Sequence, residues 1–248
     1  LDIERSTFNP EPIRMKLDRL IAKHGSMGRT AALRAIAAQR VRVGGVVITD
    51  GHAETSRFDE VTLDDQPVQV AERALYLMMH KPAGILSATK DAEHRTVVDL
   101  IDDPDKHTLH LAGRLDRASS GLVLLTNDGH WSKSLMHAEC KVPKLYEVRT
   151  HEAIPADAVD AFARGFYFHT EDITTLPAGL EITGTHTARV TLQEGRYHQI
   201  KRMFHRVGCR VETLHRVRIG RLWLPEALKA GEWRKMTPEE LVLAASAE

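Results

Sequence analysis

Gly113-Arg114-Leu115-Asp116-Arg117-Ala118-Ser119-Ser120-Gly121 runs directly into Leu122-Val123-Leu124-Leu125-Thr126-Asn127-Asp128-Gly129. An Asp beside an Arg, on a turn with glycine at both ends, stands in front of an apolar run that reads as a buried strand. Asp favours turns because its side chain bonds nearby backbone N–H groups, so Asp116 in isolation is structural more often than catalytic. It is also an anion at neutral pH, able to attack carbon or accept a proton, and the flanking Arg114 and Arg117 favour its charged form. Gly121 to Leu125 forms the turn and strand that fix it.

On either side of this stretch, strand and helix patterns interleave irregularly. Leu75-Tyr76-Leu77-Met78-Met79 is a near-continuous apolar strand, and His80-Lys81-Pro82-Ala83-Gly84 reads as the turn after it. Residues Thr96–Leu100 predict a short helix before the acidic loop Asp102–Asp105, and His130–His137 predict a helix capped by Asn127 or Asp128. Leu145–Arg149 alternates as a strand, Asp157–Arg164 is helical, Ala188–Leu192 is a strand, and Tyr197–Val207 is a helix ended by Gly208. Thr237-Pro238-Glu239-Glu240 is a capping box with proline at the first helical position. This order favours an α+β fold, with a mixed, mainly antiparallel sheet and flanking helices, over a doubly wound parallel one.

The preceding residues form a smaller module. Leu17, Leu20 and Ile21 fall at helical spacing before a stop at Gly25. A second helix is expected over Arg29–Ala38, burying Ala32, Leu33 and Ile36, with Gly28 or Thr30 as its cap. Val41–Ile48 gives two strands around Gly44-Gly45, and Gln66–Arg73, with Pro67, reads as a linker. Leu1–Arg14, with two prolines and no periodicity, is expected to be a loose arm, and a start at Leu1 rather than Met suggests a trimmed chain. The expected division is an arm over 1–14, a small domain over 15–70 and a larger one over 71–248.

Charge is balanced overall, 34 Lys and Arg against 34 Asp and Glu, and unbalanced locally. Residues 15–50 hold seven cations against two anions, and residues 196–221 hold eight against one. Two basic segments in a neutral chain point to a polyanion gripped in two places. Cys140 and Cys209 lack redox or metal spacing, the 14 histidines form no ligand cluster, and neither a membrane span nor a signal peptide is legible. A cytoplasmic protein without metal is expected.

The small module resembles the S4 RNA-binding domain over Met15 to Val70. The similarity is carried by Leu17-Asp18-Arg19-Leu20-Ile21, Gly28-Arg29 and Val41-Arg42-Val43-Gly44-Gly45, with Gly28 where that family commonly has serine. The resemblance implies that Arg19, Arg29, Arg34 and Arg42 meet RNA backbone. Gly113–Gly129 in turn is similar to the catalytic motif of RsuA-type pseudouridine synthases. Lys144-Leu145-Tyr146-Glu147-Val148 and the stretch Glu194-Gly195-Arg196-Tyr197-His198-Gln199-Ile200-Lys201-Arg202-Met203-Phe204 match two further motifs of that family in order, and Val211–Gly220 resembles its closing strand.

This resemblance implies a role for each matching residue. Asp116 would be the catalytic residue, Tyr146 a flat face for an extruded uracil, and Leu214 a pocket residue under the base. Lys201, with Arg202 as second choice, would be the cation paired with Asp116. Arg114, Arg117, Arg196, His198, Gln199, Arg202, Arg216 and Arg218 would contact RNA. Pseudouridine formation breaks the bond from ribose C1′ to N1 and joins C1′ to C5; all atoms are conserved, so no cofactor is expected. Attack at C1′, attack at C6 and removal of the 2′ proton all remain open as the role of Asp116.

The expected partner is ribosomal RNA, with a uridine of 16S rRNA in the assembling small subunit as target and a monomer as the working form. The alternatives are a large-subunit (23S) rRNA synthase of the same family, a catalytically silent RNA-binding assembly factor, and a nucleoside hydrolase using the same Asp.

Overall fold

The computed structural model describes residues 15–136 and 140–247. The expected arm over Leu1–Arg14 and the end of the helix at His137 lie outside the described residues. Contacts divide the described residues into two compact units, one holding 15–74 together with 128–130, the other holding 75–127, 131–136 and 140–247.

In the smaller unit, α1 (Leu17–His24) and α2 (Arg29–Ala37) pack over a four-stranded antiparallel sheet. The short β1 (Met15–Lys16) pairs with β4 (Glu54–Thr55), while the sheet runs in the order β3 (Val46–Val47), β2 (Val41–Val43), β5 (Val61–Leu63), β6 (Gln66–Gln69). Leu17, Leu20, Ile21, Ala32, Ile36, Val41 and Val61 form its core. Gly28 is the N-cap of α2, and Gly44 and Gly45 both take positive φ, as a tight hairpin turn requires.

Two expectations for this unit are corrected. Leu33 is 37% exposed and Ala35 is buried in its stead, because the buried stripe of α2 runs through Ala32, Ala35 and Ile36. Gln66–Gln69 is a strand rather than linker; Pro67 fits because β6 lies at the sheet edge, where a missing N–H is tolerated. The turn before it is Asp64-Asp65, both at positive φ, which Asp tolerates better than most side chains.

The larger unit is built on a nine-stranded sheet. Its main order is β13 (Gly179–Gly184), β14 (Thr187–Leu192), β10 (Lys144–Thr150), β15 (Val211–Ile219), β9 (Ser120–Thr126), β7 (Tyr76–Lys81), β17 (Trp233–Lys235). β8 (His110–Leu111) adds to β9 and β16 (Leu222–Trp223) to β15; β11 (Tyr167–Phe168) and β12 (Ile173–Thr174) form a separate ribbon. Every pairing in the large sheet is antiparallel except β15 with β9, where His215 faces Ser120 and Arg216 faces Gly121.

Helices cover both faces. Leu77, Met79, Val123 and Leu125 face α4 (Ala158–Arg164) and α5 (Gln199–Arg206) through Phe162 and Phe204. Met78, Leu122 and Leu124 face Trp131 and Leu135 of α3 (Gly129–Met136) and Ala244 and Ala245 of α6 (Pro238–Ala245). Burial on both sides explains why β9 reads as one apolar run.

The mixed, mainly antiparallel α+β architecture expected from the sequence is the one observed. His80 and Lys81 belong to β7, paired with Leu122 and Gly121, so the turn starts only at Pro82. α5 begins at Gln199, two residues later than the periodicity suggested, because His198 is left-handed. The capping box at Thr237 and Glu240 is present, with both reciprocal bonds formed. No helix among the described residues is long and apolar enough to cross a membrane.

Candidate active site

The single parallel pairing of the sheet fixes the turn that carries Asp116. Gly121, at φ +113°, leaves no room for a side chain: a Cβ there would lie 2.2 Å from the Arg216 carbonyl oxygen. Close backbone approach thus sets where β9 starts, and the turn ahead of it is tied down on several sides. Ser119 N–H donates to the Asp116 carbonyl at 3.0 Å, Leu115 N–H to Ser87 Oγ at 3.1 Å, and Gly84 N–H to the Arg117 carbonyl at 2.7 Å.

Beneath the turn, the fully buried Lys81 spends its ammonium on three carbonyls, those of Pro82 (3.0 Å), Arg117 (3.3 Å) and Ser119 (2.6 Å). Burial pulls its pKa down to about 8, against the opposing pull of Asp116. Arg216 braces the other side. It is 3% exposed and donates from Nε to the Leu122 carbonyl (2.8 Å) and from one terminal nitrogen to that of Arg114 (3.4 Å).

The Asp116 carboxylate emerges from this scaffold into a cavity of about 580 Å³. Lys201 Nζ lies 2.8 Å from one carboxylate oxygen and His198 Nε2 3.5 Å from the other. Both partners come from the start of α5, which buries Ile200, Met203 and Phe204 and so turns Lys201 toward the turn. His198 holds φ 48°, a left-handed conformation that costs a non-glycine residue on the order of 1 kcal/mol or more and is commonest where function demands it. Tyr146 and Leu214, buried on β10 and β15, give the cavity its flat and apolar walls. Lys144 lines it too, its pKa lowered to about 8 by burial and by the neighbouring Arg216 cation.

Of the residues singled out in the sequence, Asp116, Tyr146, Lys201, Leu214, Arg114, Arg117, Arg196, His198, Gln199 and Arg216 all line this one cavity. The cation on Asp116 is Lys201; Arg202 is turned away, paired with Glu171 and lying over the Phe168 ring at 3.5 Å. Arg117 donates to the Gly84 carbonyl instead of holding Asp116. Gln199 is buried and spent internally, its amide nitrogen on Glu194 (2.7 Å) and its oxygen on the Arg196 N–H (3.0 Å). Arg218 lies over Trp223 at 5.3 Å.

Arg19, Arg29, Arg34 and Arg42 belong to the smaller unit and are exposed there. Two of them have acidic partners: Arg29 donates to the buried Asp18 at 2.6 Å, and Arg42 lies 3.5 Å from Asp65. Lys81 and Glu194 stand in the sequence only as members of a turn and a motif, with no role of their own legible. Glu194 accepts from Leu176 N–H, Arg196 and Gln199 at 2.7–2.9 Å, a role that shows only once the loop is folded and Leu176, 18 residues away, is brought beside it.

Residues 75–206 match the RNA pseudouridylate synthase family, and the chain belongs to that family. It is 45% identical over 227 residues to Ribosomal small subunit pseudouridine synthase A of Pseudomonas aeruginosa, covering 92% of this chain and 99% of that one. The protein of the same name from Escherichia coli is 38% identical, covering 92% of this chain and 98% of that one. A crystal structure of a pseudouridylate synthase superposes with a TM-score of 0.66 at 35% identity, covering 92% of this chain and 98% of that chain.

Proposed function

We propose that this protein isomerises one uridine of small-subunit (16S) ribosomal RNA to pseudouridine, with Asp116 as its catalytic residue. The observation that carries the proposal is the Asp116 carboxylate, 2.8 Å from Lys201 and inside a cavity walled by Tyr146. The relatives named for small-subunit pseudouridine synthesis span nearly the whole chain and supply the substrate class.

The target base must leave its stack, at a cost of a few kcal/mol. Stacking on Tyr146 offsets about 1–3 kcal/mol of that. In the reaction the C1′–N1 bond breaks, C5 joins C1′, and the hydrogen on C5 is replaced by one on N1, so nothing is gained or lost. Lys201 Nζ, 2.8 Å away, orients the carboxylate for attack or proton removal. Leu214 packs beneath the base. Arg114, Arg117, Arg196 and His198, around the same cavity, meet the phosphates and sugars beside it.

Residues 15–70 act as an S4-like module that holds RNA backbone, with Arg19 and Arg34 foremost because Arg29 and Arg42 already have acidic partners. The protein works as a monomer in the cytoplasm on assembling subunits, where single-stranded or bulged RNA leaves a base accessible.

The test is to incubate purified protein and its Asp116→Asn variant with small-subunit RNA and map pseudouridine by carbodiimide-directed primer extension. Product from the parent at one position and none from the variant is expected. Product from Asp116→Asn would remove Asp116 from the chemistry. Tight binding without product from the parent would favour a silent assembly factor, and free uracil a hydrolase.

A further inference from the structure

Tyr197 stands out because it is 75% exposed, although it sits between residues that all line the catalytic cavity. Its ring is stacked flat on His198, with centroids 3.9 Å apart and planes 16° from parallel, and His198 Nε2 is 3.5 Å from the Asp116 carboxylate. An exposed aromatic is therefore one ring away from the group that we assign to catalysis.

The backbone beneath it is held from both sides. Arg196 N–H donates to Gln199 Oε1 at 3.0 Å, and the Arg196 guanidinium is fixed at 2.8 Å on Glu194. The Tyr197 carbonyl accepts from Arg202, itself bound to Glu171 through two nitrogen–oxygen contacts of 2.7 and 2.8 Å. A large apolar ring fixed in water costs free energy unless something covers it, and a pre-ordered ring loses little entropy when covered. The cations Arg117 and Arg196 line the same cavity, which suits a ligand that is flat and apolar on its faces and carries phosphates at its edge.

We infer that Tyr197 is a second stacking platform, which holds the base next to the target uridine while the uridine itself lies against Tyr146. Extruding one nucleotide exposes a face of its neighbour; Tyr197 takes that face and fixes the register of the strand at the cavity mouth. This inference rests on the proposed activity and adds a specificity residue to it.

The experiment measures single-turnover pseudouridine formation by the parent, Tyr197→Ala and Tyr197→Phe on an RNA substrate and on the same RNA with an abasic site 5′ or 3′ of the target. Tyr197→Ala is expected to lower kcat/KM roughly 10-fold or more through weaker binding, with the rate at saturating RNA near that of the parent. Tyr197→Phe should restore the parent value, since the ring and not the hydroxyl stacks. On one of the two abasic RNAs the difference between parent and Tyr197→Ala should vanish.

A full effect of Tyr197→Ala on both abasic RNAs, or no effect on the intact one, would overturn the inference while leaving the Asp116 assignment standing. Loss of activity in Tyr197→Phe together with Tyr197→Ala would also overturn it, by pointing to the hydroxyl. An inactive parent protein would instead sink the proposed activity itself.

Discussion

Gly121 of β9 and Arg216 of β15 face each other across the one parallel junction of the large sheet, so closely that a Cβ on Gly121 would lie 2.2 Å from the Arg216 carbonyl oxygen and 2.5 Å from its nitrogen. The same Arg216 reaches forward with its guanidinium to the Leu122 and Arg114 carbonyls, which bracket the Asp116 turn. One pair of residues therefore joins β9 to β15 and sets the position of the Asp116 turn.

Gly121→Ala tests this junction. The new methyl meets backbone rather than a movable side chain, and φ +113° is itself unfavourable for alanine. A loss of about 2–4 kcal/mol in urea unfolding is expected, with activity falling further than stability accounts for, because the Asp116 turn shifts with β9.

Lys201 should matter to rate more than to affinity. Lys201→Met removes the cation 2.8 Å from the carboxylate and is expected to slow single-turnover conversion by about 100-fold, the scale of losing one well-placed electrostatic partner. Lys201→Arg keeps the charge and should lose much less. RNA binding measured by filter retention should change little in either; a loss of binding equal to the loss of rate would make Lys201 an RNA contact instead.

Lys144 predicts a pH dependence of stability. Its pKa in the folded protein is about 8, below the ordinary lysine value, so between about pH 8 and 10.5 the unfolded chain holds the proton that the folded one has released. Its contribution therefore makes stability rise with pH across that window, and below it the buried charge is a standing cost. Urea unfolding at pH 7.5 and 9.5 should show parent stability gaining on Lys144→Met as pH rises. Parallel curves would mean that Lys144 titrates normally.

Glu194 is expected to be structural and felt at the site. Glu194→Ala strands the Leu176 N–H, Arg196 and Gln199 groups that it now accepts from, at an expected cost of about 2–4 kcal/mol in thermal or urea unfolding. Glu194→Gln keeps the shape and one strong acceptor and should cost less. Because these bonds anchor the loop bearing Tyr197 and His198, activity should follow the same order.

Much of this was legible in the chain because it is local. The apolar run Leu122–Leu125, the Gly44-Gly45 turn and the Thr237 capping box each depend on neighbours within a few residues, and each formed as expected. Leu33 misled because its spacing fits a helical stripe about as well as that of Ala35, and only packing chooses the arc of α2 that is covered. Gln66–Gln69 misled because Pro67 argues against a strand unless one knows that it lies at an edge. The basic segment of the smaller unit read as open cations, yet Asp64 and Asp65, from another strand turn, come back onto Arg40 and Arg42.

By itself the sequence determined the α+β architecture and the turn that presents Asp116, since short-range pattern specifies these, while the cavity residues Tyr146, Lys201 and Leu214 followed from the resemblance to RsuA-type synthases. Only the tertiary structure decided that Lys201 rather than Arg202 meets Asp116, that Lys81 and Glu194 hold the two loops, and that Tyr197 stands exposed behind His198. Those outcomes turn on ångström distances between residues up to 85 positions apart in the chain, and a hydrogen bond or ion pair that fades within an ångström or two cannot be read from spacing alone.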